Sequence, residues 1–392
     1  MLLKKLFIKK IALVFASALF LFSSCAKKDA LSLSDGTFVG RGAGRNGPVV
    51  VEVTVYGGKV TDARIVEQQE TEDIGGPAQA QIVEEFLRGG GDTDIDVVSG
   101  ATLTSNALIA ALQSALDASH GIVEAKENFS DTETDIVVIG AGGAGLTAAT
   151  EAALNGAKVI VLEKSGVAGG NTNSSTGGLN ASESSVQKKL KIEDSNERFY
   201  EDTMKGGHYK NDPALVRTLV ENSAAIVDWL QAEDVGADLS DVGIMGGSSN
   251  KRTHRPLGGQ AIGSHLVPKL YAAAKKAGAQ IRFNSAVVDV IEEGGRAVGV
   301  KVQNEAGSYS IKAKAVIIAT GGFGANPSMI EKYRPDLKGF STTNVKTTTG
   351  DAFSWLEKFN ANLRLMNEIQ IHPSVVPGKG ILIKIGRASC RE

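Results

Sequence analysis

The spacing of apolar positions changes character twice along the chain. Ile11-Ala-Leu-Val-Phe-Ala-Ser-Ala-Leu-Phe-Leu-Phe22 is one continuous apolar run, preceded by Lys4, Lys5, Lys9 and Lys10. From about 35 to 118 short alternating segments take over. Asp35-Gly-Thr-Phe-Val-Gly-Arg-Gly42 reads as a strand. Val49-Val-Val-Glu-Val-Thr-Val-Tyr56 and Lys59-Val-Thr-Asp-Ala-Arg-Ile-Val66 flank Gly57-Gly58 as the arms of a hairpin. Ala78–Leu87 has helical period, and a second helix is expected over Thr104–Leu116 with a Thr or Ser cap. Residues 119–132 are polar and read as a linker. From Thr134 onward β-branched runs alternate with helical stretches, the pattern of an α/β domain on a parallel sheet.

A length of 392 residues with 42% hydrophobic content supports two or three packed cores. The formal charge of −2 supplies no basic field, which excludes nucleic acid as an expected partner. The two cysteines, Cys25 and Cys390, make no disulfide framework, no zinc-type cluster and no haem attachment motif.

The apolar run at 11–22 is shorter than a spanning helix needs, and its lysine-rich start fits a signal peptide over 1–24. Phe22-Ser-Ser-Cys25 is similar to a lipobox, in which Cys25 is lipidated and becomes the mature N-terminus. An ordinary secretory signal with an incidental cysteine is the alternative. A polar tether at 25–34 follows. The expectation is a lipoprotein outside the cytoplasm, held to a membrane surface by the anchor at Cys25.

Two stretches carry chemistry. Asp135-Ile-Val-Val-Ile-Gly140-Ala-Gly142-Gly-Ala144-Gly145 is an apolar strand entering a glycine-rich turn. A helical stretch follows, then Lys158-Val-Ile-Val-Leu-Glu163, a strand ending in an acid. In that context the glycines make a tight turn, and backbone amides at a helix N-terminus face a pyrophosphate. Glu163 is placed to accept ribose hydroxyls. Gly169-Gly170-Asn171-Thr172-Asn-Ser-Ser-Thr-Gly177-Gly178 is a long loop of small residues able to lie against a ring system, which favours FAD over NAD. Lys314-Ala-Val-Ile-Ile-Ala-Thr320-Gly321-Gly322 is another strand-to-glycine turn, and Thr349-Gly-Asp351 adds an acid. The second stretch is Asp96-Val-Val-Ser-Gly-Ala-Thr102, where a helix-capping turn is the plain reading.

From about 134 to 384 these residues resemble the family of fumarate reductases and flavocytochromes c, which shares the succinate dehydrogenase flavoprotein fold. Glu163-Lys164, Gly-Gly-Asn-Thr, Gly246-Gly-Ser-Ser, His254-Arg-Pro, Ala-Thr-Gly-Gly-Phe, Thr-Gly-Asp and Ile369-Gln-Ile-His-Pro373 occur in family order. The resemblance implies a Rossmann-like FAD-binding domain over 133–365, with the substrate clamp domain opening at 366–384. It implies non-covalent FAD held by Gly140, Gly142, Ala144, Gly145, Glu163, Lys164, Gly170, Asn171, Thr172, Gly177, Gly178, Val287, Thr320, Gly321 and Asp351. Residues 35–118 resemble the small α+β FMN-binding domain of urocanate reductases and of a subunit of the sodium-pumping quinone reductase. That resemblance implies FMN joined covalently to Thr102 by a separate flavin transferase.

The activity so implied is reduction of the C=C bond of a small unsaturated carboxylate, with electrons passing from FMN to FAD to substrate. Such chemistry needs a hydride donor, a polarising cage for the carboxylate and a proton donor. Of the five histidines, His120 and His208 read as surface or satisfied core residues and His265 as packing at a helix start. His254 is as readily structural or flavin-proximal as substrate-binding. His372 matches the family histidine that hydrogen-bonds a substrate carboxylate. Urocanate-specific members carry an aromatic residue there and an acid at the position of Leu382, so the pair His372 and Leu382 favours fumarate. Urocanate or another 2-enoate is the alternative. A different class of reading is an electron-transfer module in which only FMN on Thr102 works. The sequence carries no second dinucleotide motif for a nicotinamide, which points to a quinol-linked cytochrome or similar membrane donor.

The family continues after Ile383 with a Thr-Glu pair and an arginine-rich stretch holding the proton donor, then a closing glycine-rich segment. This sequence reads Lys384-Ile-Gly-Arg-Ala-Ser-Cys-Arg-Glu392 instead. AAG ATC GGA AGA GCG TCG TGT AGG GAA would encode it, and nearly all of that reads as a common sequencing adapter. Residues 385–392 are therefore expected to be an artefact, with Cys390 no feature of the protein. The chain is expected to be an inactive fragment of a working reductase.

Overall fold

The computed structural model describes residues 33–44, 48–68, 72–98, 101–120, 129–372, 375–376 and 381–382. The signal segment, Cys25, most of the tether, Ser99-Gly100, the middle of the linker and residues 383–392 with Cys390 lie outside the described residues.

The N-terminal unit is a three-stranded antiparallel sheet, Gly36–Ala43, Pro48–Tyr56 and Lys59–Glu67, covered by the helices Glu72–Arg88 and Thr102–Ser119. Alternation explains the burial. Val49, Val51 and Val53 face inward and meet Ile82, Phe86, Leu108 and Leu112 in one apolar cluster. Gly57 and Gly58 have φ of +61° and +67°, the mirror-turn geometry that lets two residues close a hairpin. The second helix corrects one expectation. It starts at Thr102, and its N-cap Ala101 offers no side-chain cap. Thr104 and Ser105 therefore lie inside the first turn. Ser105 still serves the turn, because its Oγ accepts from the Val98 amide at 3.1 Å and ties the motif loop to the helix.

The larger unit is built on a six-stranded sheet. Its strands run in the order Ala286–Glu293, Arg296–Asn304, Gly307–Ile318, Thr132–Ile139, Val159–Leu162, Gln280–Arg282. The last four are mutually parallel, as the alternating pattern predicts. The first two strands pair antiparallel and extend the sheet as a meander, which the expected all-parallel pattern does not include. The strand leading to Thr320-Gly321 is accordingly long, because its first half belongs to the meander. The end of the span read as linker is not free chain either. Phe129 packs its ring 5.7 Å from that of Tyr309 and 4.1 Å from the Arg282 guanidinium. Asp131 accepts from the Ser310 amide at 2.7 Å, and the strand already begins at Thr132.

One face of the sheet carries the helices Gly143–Leu154 and Ile262–Lys276 around Val138, Val161, Leu146, Leu270 and Ala274. The other face packs Val137, Ile139, Ile160 and Leu162 against Val290, Val302, Ile311 and Trp355. The helix Pro213–Gln231 covers a second small sheet, Leu179–Asn180, Thr253–Arg255, Asp241–Gly243.

Candidate functional site

Five separated stretches of chain converge at the C-terminal ends of the parallel strands, where open α/β sheets hold ligands. The first is the glycine-rich turn. Gly140 has φ +104°, and a Cβ there would lie 2.5 Å from the Ala319 carbonyl oxygen. Gly145 stands against Gly140 itself. The helix Gly143–Leu154 begins behind an extended Gly142 that offers no side-chain cap of its own; the first helical amide, that of Gly143, is taken by Thr172 from across the site.

The second stretch is the end of the strand Val159–Leu162. Glu163 is buried, its Oε2 accepting from the Ala141 amide and its Oε1 from the Ser165 amide, both at 2.9 Å. Lys164 reaches across to the fifth stretch: its Nζ donates to Asp351 Oδ2 at 2.7 Å and to Thr349 Oγ1 at 2.6 Å. Thr349 Oγ1 donates to the other oxygen of Asp351 at 2.6 Å. Burial pushes the Asp351 carboxyl up, but the bonds from Lys164 and Thr349 and the Lys164 charge outweigh it and hold the group below its ordinary value.

The third stretch, 169–178, is sewn to the turn. Gly169 donates to the Ala141 carbonyl at 2.8 Å, and Thr172 Oγ1 accepts from the Gly143 amide at 3.1 Å. Asn171 binds the far side: its Nδ2 donates to Asn344 Oδ1 at 2.5 Å and Thr348 Oγ1 at 3.1 Å, and its Oδ1 accepts from the Val345 amide at 2.8 Å. The fourth stretch is the turn after the strand Gly307–Ile318, where Ala319 donates to the Ile139 carbonyl at 2.9 Å. That bond sets Thr320 and Gly321 beside Gly140.

FAD fits this cradle. Gly170, Gly177, Gly321 and Gly322 have no heavy atom within 4 Å of the Cβ position, so backbone lines an open slot on several sides. Within the loop, Ser174 Oγ is buried and meets no protein partner, a donor and acceptor left for a ligand. Val287 is a buried residue on the adjoining strand Ala286–Glu293. Ala144 is exposed on the first turn of the helix.

Two predicted positions belong to other segments of the chain. Thr102 heads the second helix of the N-terminal unit. His372 is exposed in the irregular segment that follows residue 360. That segment is tied down by Arg364 to Asp212 at 2.7 Å and by Lys210 to Glu368 at 2.8 Å.

The other histidines resolve. His254 is fully buried. Its Nδ1 pairs with the Arg252 carbonyl at 2.9 Å and its Nε2 with Ser184 Oγ at 2.7 Å, so it is a structural residue. Burial pushes its imidazole below the ordinary value against the pull of the Arg252 and Leu179 backbone and the Asp228 charge. Beside it Arg252 is fully buried, and its guanidinium contacts Asp194 at 3.0 Å and Asp202 at 2.7 Å. His265 accepts from the Asp238 amide at 2.9 Å on the first turn of its helix. Sequence reading missed Asn344 and Thr348, which bind Asn171, and neither carries a local signal.

The comparisons with known proteins agree with this geometry. The FAD binding domain family matches residues 135–389, and the FMN-binding domain family matches residues 44–117. The NADH:fumarate oxidoreductase of Klebsiella pneumoniae is 41% identical over 74% of this chain and 32% of its own length. The urocanate reductase of Eggerthella lenta is 33% identical over 93% of this chain and 63% of its own. The open conformation of a flavocytochrome c3 fumarate reductase superposes with a TM-score of 0.61 at 37% identity, covering 75% of this chain and 51% of that one. The chain spans 32% to 44% of the length of the fumarate reductases matched at 41% to 45% identity. With the cradle and these matches together, the chain belongs to the FAD binding domain family and carries an FMN-binding domain ahead of it.

Proposed function

We propose that this chain is the flavin-bearing part of a reductase acting on the C=C bond of a small unsaturated carboxylate, fumarate to succinate before others. The observation that carries the reading is the cradle itself: the glycine-rich turn, Glu163, the loop 169–178 and the Lys164–Asp351 knot all meet at one end of one sheet. FAD bound there supplies the hydride. The chain's residues hold it: amides of the turn for the pyrophosphate, Glu163 for ribose hydroxyls, the loop 169–178 for the ring system. His372 donates to a substrate carboxylate. Relatives named for fumarate reduction are 41% and 45% identical over 74% and 64% of this chain, which supports fumarate. A second reading, urocanate, is favoured by the relative that covers 93% of this chain.

Thr102 would hold FMN, attached by a flavin transferase, and the FMN so held would supply electrons to FAD. The mature chain is a lipoprotein anchored through Cys25 on an extracytoplasmic membrane face, and its donor is a quinol-linked cytochrome or similar carrier. The name of the Klebsiella relative supports a rival donor, NADH. Steady-state assays with reduced methyl viologen and fumarate, urocanate or acrylate test the substrate, and replacing the dye by NADH tests the donor. Turnover with fumarate alone supports the first reading. Turnover with urocanate alone replaces it with the second.

A further inference from the structure

The strand Thr253–Arg255 is the middle strand of the small sheet, and its neighbours divide its residues into two sets. Arg252 and His254 are locked into the buried contacts described above. Thr253 and Arg255 turn to the opposite side, as alternate residues of a strand do, and both press on Gly178. A Cβ at Gly178 would lie 2.5 Å from Thr253 Cγ2 and 2.9 Å from Arg255 Cγ. Arg255 is thus laid along the end of the loop 169–178.

Its head group is little used by the fold. Arg255 Nε is buried and meets no hydrogen-bond partner among the described residues. Among the described residues Nη2 reaches the Sδ of Met245 at 3.1 Å, a weak acceptor. Asp241 pairs with Arg255 across the sheet in register, yet its carboxylate forms no ion pair with it among the described residues. An arginine held this way is an unspent fork of donors. Exposed apolar side chains stand on nearby residues of the chain: Ile244 is 53% exposed, Met245 41% and Leu257 70%. Gly246 and Gly247 add open space, with no heavy atom within 4 Å of their Cβ positions. One carboxylate shares the neighbourhood, the Gly259 Cβ position lying 3.5 Å from Asp241 Oδ2 and 3.8 Å from Arg255 Nη1. A guanidinium with open space and exposed apolar residues next to it in the chain, beside the cofactor loop, matches a small ligand with an apolar body and a carboxylate.

We propose that Arg255 is a carboxylate-binding residue that receives the substrate at the Gly178 end of the cofactor loop. The identity of the ligand rests on the reading of the chain as an unsaturated-acid reductase; the site itself rests on Arg255 and its surroundings. Nothing in the fold replaces its bonds, so the neutral variant loses the anchor while Asp194, Asp202 and Ser184 keep the strand in place.

The test is isothermal titration of succinate into the FAD-loaded reductase completed through its clamp and closing segments, comparing wild type with Arg255→Gln and Arg255→Lys at equal flavin content. Binding weakens by roughly ten- to a hundredfold in Arg255→Gln, as expected when a charge-assisted bond is lost. Arg255→Lys keeps the stem on Gly178 and the charge, so its affinity falls between the two, and it decides the matter if Arg255→Gln fails to load FAD. Equal succinate affinity in wild type and Arg255→Lys together with Arg255→Gln, or no succinate binding by wild type, overturns the proposal. Fumarate turnover separates the two claims. Unchanged KM in Arg255→Gln removes Arg255 and leaves the reductase, whereas Arg255-dependent succinate binding without turnover on any 2-enoate leaves Arg255 and removes the reductase.

Discussion

Gly145 stands so close to Gly140 that a Cβ on it would lie 1.9 Å from the Gly140 carbonyl oxygen. The contact is backbone against backbone, so no side chain can give way. It fixes how the first helix leaves the sheet, and with it the direction in which the amides of the turn point. Glycine is required at 145 by space, whereas Gly156, at φ +86° with nothing within 4 Å, is required only by backbone conformation.

The two positions are therefore expected to respond differently. Gly145→Ala forces the turn open and costs about 1–3 kcal/mol, with FAD retention falling along with stability. Gly156→Ala sits at a helix end in the left-handed region and costs about 1 kcal/mol while leaving FAD content intact. Urea midpoints and the flavin-to-protein absorbance ratio separate the two.

Arg252 gives the largest single effect on stability. Its guanidinium and the Asp194 carboxylate are both fully buried, and Asp202 completes the group. Asp194→Asn leaves a buried cation short of its partner and costs about 3–5 kcal/mol. Chemical denaturation reads it directly. A loss under 1 kcal/mol would mean that Asp202 alone satisfies the Arg252 charge.

His254 sets a pH dependence. Its imidazole is held below the ordinary value, chiefly by burial, so the unfolded chain takes up a proton first as pH falls. Stability from this group is complete above about pH 6.5 and declines below it, down to the folded value. His254→Gln lowers stability at neutral pH through the lost Ser184 bond and flattens the slope between about pH 6.5 and 5. Denaturant midpoints across that window check both halves.

Thr102→Ala tests the covalent flavin. Thr102 heads the helix Thr102–Ser119, directly behind Ala101. A far-UV circular-dichroism spectrum that matches the parent's checks that the N-terminal unit keeps its fold. Intact-protein mass spectrometry after expression with a flavin transferase is expected to find the FMN adduct in the parent and none in Thr102→Ala.

What sequence alone revealed has a physical pattern. The hairpin at Gly57-Gly58, the turn at 140–145 and the acid at 163 are local: each is fixed by residues within one strand-turn-helix unit, and local chemistry is legible. The antiparallel meander was not, because strand direction depends on which edge remains open once the parallel core has formed. The cap at residue 101 was misassigned because Thr104 and Ser105 have capping side chains, while the Val98 amide bonded to Ser105 could not be read from composition. Asn344 and Thr348 matter only through Asn171, far away in the chain. Arg255 differs from its near neighbour Arg252 only through long-range contacts: Arg252 has buried acid partners, and Arg255 has no ion pair among the described residues.

The most direct test of the central claim is reoxidation by fumarate of the dithionite-reduced, FAD-loaded reductase completed through its clamp and closing segments, followed anaerobically by flavin absorbance. The account predicts that fumarate restores the oxidised flavin spectrum and that succinate forms in step with it. Reoxidation by dyes or protein acceptors, with no response to fumarate, urocanate or acrylate, would contradict it and leave an electron carrier in its place.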